Sequence, residues 1–363
     1  MEQKVNLTFA AIQPYVEDNI IKNVQKEVKG KDMVEYGEKN IYPNYLYNLY
    51  QGVSVLHSII GGCADYASGE NIALGVPLLA EKVNPNETVE DVCHQMFIDL
   101  GVYGGFALNV VRNKKGEIVA LYNLDFKNIR SDKHNTKFYY SDKWAEKSAG
   151  RIDSQVYPAF DPDKDDANSI YYYKNDKHAT YPTPVWGGAT TAAECLKHVG
   201  EFHLNSLYNG LSSDYIVNFN SGTPSDEQRE EIEEMFEEKY SGYQNGSRTM
   251  LSFQNDFAHR TTVEAIPQTN FLDKYNTLTQ DSKKDLFTAF RVHPALFGLP
   301  TENSGFNTQD INEAFKVANK TVILPMQKVV KRAFETIFQT PEILQIVPID
   351  IDWSDRESTT NVK

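Results

Sequence analysis

Apolar residues recur at helical spacing between Tyr42 and Tyr66, where Leu46, Leu49, Val53, Leu56, Ile59 and Ile60 share one stripe. The pattern predicts a helix over this span, interrupted at Gly61-Gly62 and ended at Gly69. Thr88 opens a second predicted helix, with Val89, Val92, Met96, Phe97 and Leu100 on its apolar face. Asp91, at the third helical position, completes a capping box with Asp in place of the usual Glu. That helix is expected to run out at Gly101 or at Gly104-Gly105. The period then drops to two. Phe106–Arg112 and Glu117–Leu124 alternate as strands, joined by Asn113-Lys114-Lys115-Gly116 in a hairpin pattern.

Residues 132–186 break from this rhythm. They hold Pro158, Pro162, Pro182 and Pro184, the acidic loop Asp161–Asp166 and the run Tyr171-Tyr172-Tyr173. Helical pattern is scarce there, apart from a turn near Trp144, so the stretch reads as an inserted module of strands and loops. A long helix is expected over Ala189–Asn209, with Ala193, Leu196, Val199, Gly200, His203 and Leu207 on one side. Tyr215–Phe219 reads as a strand. Ser225 and Gln228 form a capping box for a helix whose apolar face is Ile232, Met235, Phe236 and Tyr240. Residues 249–254 read as another strand, and Asn270–Phe290 as a helix. The Pro- and Gly-rich stretch Arg291–Asn307 ends that helix. Thr308 caps a last helical region reaching Gln339, where Pro325 predicts a kink or two helices meeting. Residues 1–40 are polar and weakly patterned, an arm or loosely packed entry segment. The fold class is α+β.

Composition narrows the function. The 363 residues are 40% hydrophobic, enough to bury a substantial core in two or three domains. Twenty-one tyrosines suit surfaces buried between chains; half-exposed strand positions account for them equally well. The net charge is -14. A protein that grips DNA by counterion release needs a basic face, and the longest basic cluster is only Lys328, Lys331 and Arg332. Either the chain does not meet nucleic acid, or it meets DNA without gripping it. Cys63, Cys93 and Cys195 are odd in number and far apart, which fits a reducing cytoplasm rather than a disulfide framework. The N-terminus does not read as a signal peptide, and no run of 18 apolar residues could cross a membrane.

Candidate chemistry is thin. No Gly-x-x-x-x-Gly-Lys-Ser/Thr loop occurs, and no glycine pair has dinucleotide spacing. Asp161, Asp163 and Asp165 begin like a calcium loop. Asp166 then stands where Gly is needed, and Tyr172 where Glu is needed. Cys195, His198 and His203 share a helix, but eight residues separate the first from the last and a fourth ligand is lacking. Cys93, His94 and Asp99 supply nucleophile, base and carboxylate in type only. Glu230, Glu231, Glu233, Glu234, Glu237 and Glu238 read as the solvated face of a helix rather than a two-metal site. We therefore expect no catalytic residue, no metal and no cofactor.

The elements, in order, resemble the portal proteins of tailed bacteriophages, in their short form, over about Tyr42 to Phe338. Four stretches carry the resemblance. Asp99-Leu-Gly-Val-Tyr-Gly-Gly-Phe-Ala-Leu-Asn-Val-Val-Arg-Asn is similar to the family's helix-to-hairpin element in the wing. Phe202-His-Leu-Asn-Ser-Leu-Tyr-Asn-Gly-Leu resembles the end of a stem helix, with Asn209-Gly210 as the usual pair. Phe290-Arg-Val-His-Pro-Ala-Leu-Phe-Gly-Leu resembles the lead into the tunnel loop. Thr321-Val-Ile-Leu-Pro-Met-Gln resembles a Pro-containing turn in the last helical region.

The resemblance implies a portal fold with helical wing and stem, a β-rich clip and a small or absent crown. Its layout would be an N-terminal arm (1–41), wing (42–131, 213–290 and 308–340), clip with a flanking stem segment (132–186), stem helix (187–212), tunnel loop (291–307) and minimal crown or tail (341–363). The stem helix that should precede the clip has only Ser141–Ala149 as a candidate. Pro300, Thr301, Glu302, Asn303, Ser304, Gly305, Phe306 and Asn307 would face DNA in the bore, and Leu196, His203, Leu207 and Tyr208 would contact neighbouring subunits. The implied partners are the chain itself in a ring of twelve, the terminase large subunit, major capsid and scaffolding proteins, neck proteins and double-stranded DNA in non-specific passage. The implied place is the portal vertex of the virion, after assembly in the host cytoplasm. An acidic bore repels phosphate, so DNA would slide through it. Two other readings are a head-assembly adaptor without a channel and a phage nuclease.

Overall fold

The computed structural model describes residues 21–28, 32–144, 154–208, 215–219, 225, 249–253, 263–265, 271–299 and 308–349. Two compact units divide them: Ile20–Leu196 with Gln280–Lys363, and Lys197–Thr279.

The larger unit is built on helices. The stripe from Tyr42 gives two, α1 (Tyr42–Gly52) and α2 (Ser54–Ser68), parted at Val53, which takes an extended backbone at φ -115°, ψ 104°. The expected interruption at Gly61-Gly62 does not occur, because both glycines lie inside α2. Gly62 serves close packing instead: a Cβ there would stand 2.7 Å from the Phe297 ring. Gly69 ends α2 with φ 71°, a backbone that favours glycine. Helix α3 (Val89–Tyr103) starts on the expected box, where Thr88 Oγ1 accepts from Asp91 N and Asp91 Oδ2 accepts from Thr88 N. Gly104, left-handed at φ 80°, turns the chain into β4 (Gly105–Arg112), paired antiparallel with β5 (Ile118–Asn123).

Residues 132–186 are not a separate module, and this corrects the expectation. Strand β9 (Asn168–Lys174) pairs with β4 from Gly105↔Lys174 to Val111↔Asn168, so the sheet order is β5-β4-β9. The tyrosine run drives this placement, because alternate residues point to opposite faces of a strand. Tyr172 lies 4.9 Å from Phe138 and 5.6 Å from Phe126, while Tyr171 and Tyr173 flank Phe106 on the other side. A second sheet runs β1 (Lys26–Glu27), β2 (Val34–Glu35), β6 (Ile129–Ser131), β7 (Lys137–Tyr140), β8 (Gln155–Pro158). Tyr181 stacks on Tyr36 with ring centroids 4.1 Å apart and donates its hydroxyl to Val34 O. Of the candidate stem helix Ser141–Ala149, Ser141–Trp144 is not helical and the remainder lies outside the described residues.

Helix α4 (Thr190–Tyr208) leaves this unit and ends in the smaller one; α5 (Phe271–Phe290) returns from it. The smaller unit holds a three-stranded sheet, β11-β10-β12. Strand β10 (Tyr215–Phe219) runs parallel to β11 (Thr249–Phe253) and antiparallel to β12 (Val263–Ala265). Within it Phe202 of α4 stacks on Tyr275 of α5 at 5.1 Å. The helix expected after Ser225 lies outside the described residues.

The chain closes with α6 (Thr308–Ala318), a π-helical turn (Asn319–Ile323) and α7 (Leu324–Phe338). Ala318, Ile323 and Leu324 all keep helical angles, so the expected break is a widened turn within continuous helix. Pro325 has no N–H to give the carbonyl four residues back, and a wide turn just before it absorbs that mismatch. Strand β13 (Leu344–Val347) then pairs antiparallel with β3 (Asn71–Leu74).

Candidate channel and subunit-contact elements

The chain entering the expected loop segment and the helix that follows the segment both meet α2. After Phe290 the chain turns through Arg291, at φ 59°, into a single-turn helix, Pro294–Phe297. His293 Nδ1 accepts from Ala295 N at 3.3 Å to start that turn, and Gly298 ends it at φ 76°. Tyr66 Oη donates to Leu296 O at 3.3 Å, and the Phe297 ring lies over Gly62, 5.9 Å from Phe287. The Tyr66 ring also meets Phe315 of α6 at 5.3 Å. One residue of α2 therefore touches both the chain entering the segment and the helix that follows it. Pro300, Thr301, Glu302, Asn303, Ser304, Gly305, Phe306 and Asn307 lie outside the described residues.

The four expected subunit-contact residues of α4 part company. Leu196 is half-buried against the larger unit's own core. His203 is exposed, edge-on to Tyr275 at 6.0 Å and to Phe202 at 5.9 Å. Leu207 and Tyr208 are in the helix, but their side chains lie outside the described residues.

The structure spreads the candidate chemistry apart. Cys93 is fully buried, which pushes its thiol up and out of nucleophilic range at neutral pH. His94 Nε2 pairs with Asp65 Oδ1 at 3.1 Å, while Asp99, pushed up by burial, accepts from Asn123 Nδ2 at 2.7 Å. His198 Nδ1 pairs with Glu201 Oε2 at 3.0 Å. Among the described residues, no three His, Cys, Asp or Glu side chains gather as metal ligands. Asp161 takes Lys164 Nζ at 3.0 Å and its carbonyl accepts from Arg112 Nη1, so the acidic loop is tied to the hairpin. The Glu-rich run 230–238 lies outside the described residues.

Sequence reasoning undervalued the basic cluster near Lys328. Two of its members belong to a longer row, Lys316, Lys320, Lys328 and Arg332, all exposed, on the side of α6 and α7 opposite the buried Ala318, Val322, Val330, Ala333 and Phe334, while Lys331 is half-buried beside it. The signal lay in the sequence: no Asp or Glu occurs between Glu313 and Glu335.

Comparison with known proteins fits this architecture. The family described as phage portal protein matches residues 76–346. A search of curated proteins gives no significant match. Among solved structures, a chain from the virion of a native gene transfer agent particle is 15% identical, with a TM-score of 0.53 over 88% of this chain and 90% of that one. A chain from the neck of the native particle, computed with C12 symmetry, is 15% identical with a TM-score of 0.54, covering 86% and 85%. An HK97 family phage portal protein from Corynebacterium diphtheriae is 10% identical with a TM-score of 0.50, covering 84% and 94%. At such identities the likeness speaks for the fold. The family match spans the hairpin, both long helices, the segment anchored on Tyr66 and strand β13, and with that extent the chain belongs to the phage portal protein family.

Proposed function

We propose that this chain is one subunit of a ring at a single capsid vertex of a phage or phage-like particle. Genomic DNA is packaged through that ring and later leaves by it. The family match over residues 76–346 carries the reading. The role is structural, as in the family. The C12 symmetry of the neck structure with the same fold supports a ring of twelve. The finer partners of this reading are the terminase large subunit on the outside, capsid and scaffolding proteins around the ring, neck proteins after packaging, and DNA in the bore. Assembly takes place in the host cytoplasm.

The layout is best amended from the sequence-based one. The resemblance calls for a β-rich clip between two stem helices. Between β5 and residue 132 the chain makes only the single-turn helix Phe126–Asn128, and the described residues of 132–186 are built into the main sheets. The sheet β11-β10-β12 instead sits between α4 and α5 in the chain and forms its own unit with the ends of both. We assign the clip to about residues 209–270 and the stem to α4 and α5, leaving 132–186 to the wing. The tunnel loop remains the segment ending at Asn307, based on the anchor at Tyr66.

Negative-stain microscopy of the purified chain tests the ring, because only a portal predicts a closed ring with a central hole. Deleting Thr301–Phe306 tests the loop. Rings should still form, while particles carrying the shortened loop should hold less DNA. Full heads at normal yield would show that the segment has no part in packaging.

A further inference from the structure

The chain carries a net charge of -14, so copies brought together in a ring repel one another. Against that background, Lys316, Lys320, Lys328 and Arg332 stand exposed at four-residue steps with the exposed Leu324 completing the series. Sixteen residues of helix make a row about 24 Å long. In an uninterrupted α-helix each four-residue step drifts by about 40° around the axis, so the ends of such a row would face nearly opposite ways. The π turn at Asn319–Ile323 spends an extra residue midway and takes back part of that drift. Among the described residues, the ion pairs involve side chains other than these four cations.

We propose that this row is the face with which one subunit holds the acidic surface of the next copy, an inference that rests on the ring reading above. Two observations favour a protein partner over the backbone of a nucleic acid. Apolar side chains are set into the row, with Val317 60% exposed and Leu324 43%, and a phosphate backbone offers nothing for them to cover. A complementary acidic stretch of sequence also exists on this chain, with Glu70, Glu81, Glu90 and Asp91 exposed. Residues 65–91 carry Asp65, Glu70, Glu81, Glu87, Glu90 and Asp91 against a single cation, Lys82. Leu78, 65% exposed, lies among them in sequence. Basic with apolar meeting acidic with apolar is the head-to-tail arrangement that closes rings from one kind of chain.

The test uses the full chain and reads ring formation by native mass spectrometry across a concentration series. The variant K316Q/K320Q/K328Q/R332Q, its fold checked by circular dichroism, should need a concentration about tenfold higher or more to form rings. Salt near about 0.5 M should weaken wild-type assembly and leave the variant little changed. A second pair of variants guards against misfolding. The row reversed to Glu at the same four positions and the acidic-stretch variant E70K/E81K should each fail alone, yet assemble as alternating rings when mixed. Normal assembly of the Gln variant overturns the inference and leaves the ring reading standing. Wild-type chain that never forms rings removes both. Rings that form normally but lose binding to duplex DNA would assign the row to nucleic acid instead and overturn the inference.

Discussion

Arg130 has the lowest exposure of the charged side chains described in the larger unit, and its replacement gives a sharp test of the packing described above. It is fully buried. Its Nε donates to Asn40 Oδ1 at 2.6 Å, Nη1 to Lys127 O at 2.8 Å and Ile129 O at 2.7 Å, and Nη2 to Asn40 O. The guanidinium carbon lies 5.1 Å from the Trp144 ring centroid and 6.0 Å from that of Tyr36. Burial lowers its pKa to about 10, so at neutral pH it stays charged. Arg130→Met keeps most of the volume and removes the donors. Each hydrogen bond from a charged donor is worth about 1.5–3 kcal/mol. Several kcal/mol are regained because a guanidinium is no longer held out of water. Asn40 Oδ1 keeps its bond from Tyr36 N, while three carbonyls each lose one donor. The net expectation is a loss of about 3 kcal/mol. At about 2–4 °C per kcal/mol for a unit of this size, the melting temperature should fall by about 6–12 °C. Thermal denaturation followed by circular dichroism measures this. Wild type and variant must be compared at one protein concentration, because ring formation itself raises the transition. A fall below about 2 °C would refute the claim that Arg130 holds Asn40 and the Lys127–Ile129 turn together.

Three further outcomes follow from local geometry. Gly62→Val should displace the Phe297 ring, cost about 1–3 kcal/mol and raise protease cleavage between Arg291 and Thr308, read by limited proteolysis and mass mapping. Asp132 accepts from Thr136 N, Thr136 Oγ1 and Lys137 N at 2.6–3.0 Å. Burial raises its pKa, but these bonds more than offset that and leave it lowered. Its stabilising effect is therefore present above the normal carboxylate range and lost as pH falls through the lowered folded value, so Asp132→Asn should flatten the acid limb of a stability-against-pH profile. Phe202→Ala should cost about 2–4 kcal/mol in the smaller unit by removing its stack on Tyr275. Hydrogen exchange should show faster opening of β10–β12 with α1–α3 unchanged.

Local signals were legible wherever one residue type decides one backbone state. Thr88 with Asp91, Gly69 and the hairpin turn at 113–116 all act locally and are legible; of the two ends expected for α3, Gly101 lies inside the helix and Gly104 ends it. Long-range pairing was not. Tyr171-Tyr172-Tyr173 announces a strand, but nothing near it names β4 as its partner, so residues 132–186 looked separate. Gly61-Gly62 misled for the same reason, since the cause of Gly62 is a ring 235 residues later in the chain. The basic row was missed because three close charges drew notice, whereas the long acid-free interval between Glu313 and Glu335 needs a helix to become a surface.

The pairing of β3 with β13 sets an order of events during synthesis. Leu74 waits for Leu344, and about 270 residues must be made between them. At elongation rates of about 5–20 residues per second, that delay is some tens of seconds. Throughout it α2 and α3 lack the cover of α7, so the larger unit cannot finish folding on the ribosome until α7 and β13 have emerged. The smaller unit, encoded in the middle, has its described strands by Ala265 and Tyr275 soon after, and is free to fold first. A subunit cut short by premature termination would leave this apolar face open, marking it for degradation before it could enter and spoil a ring.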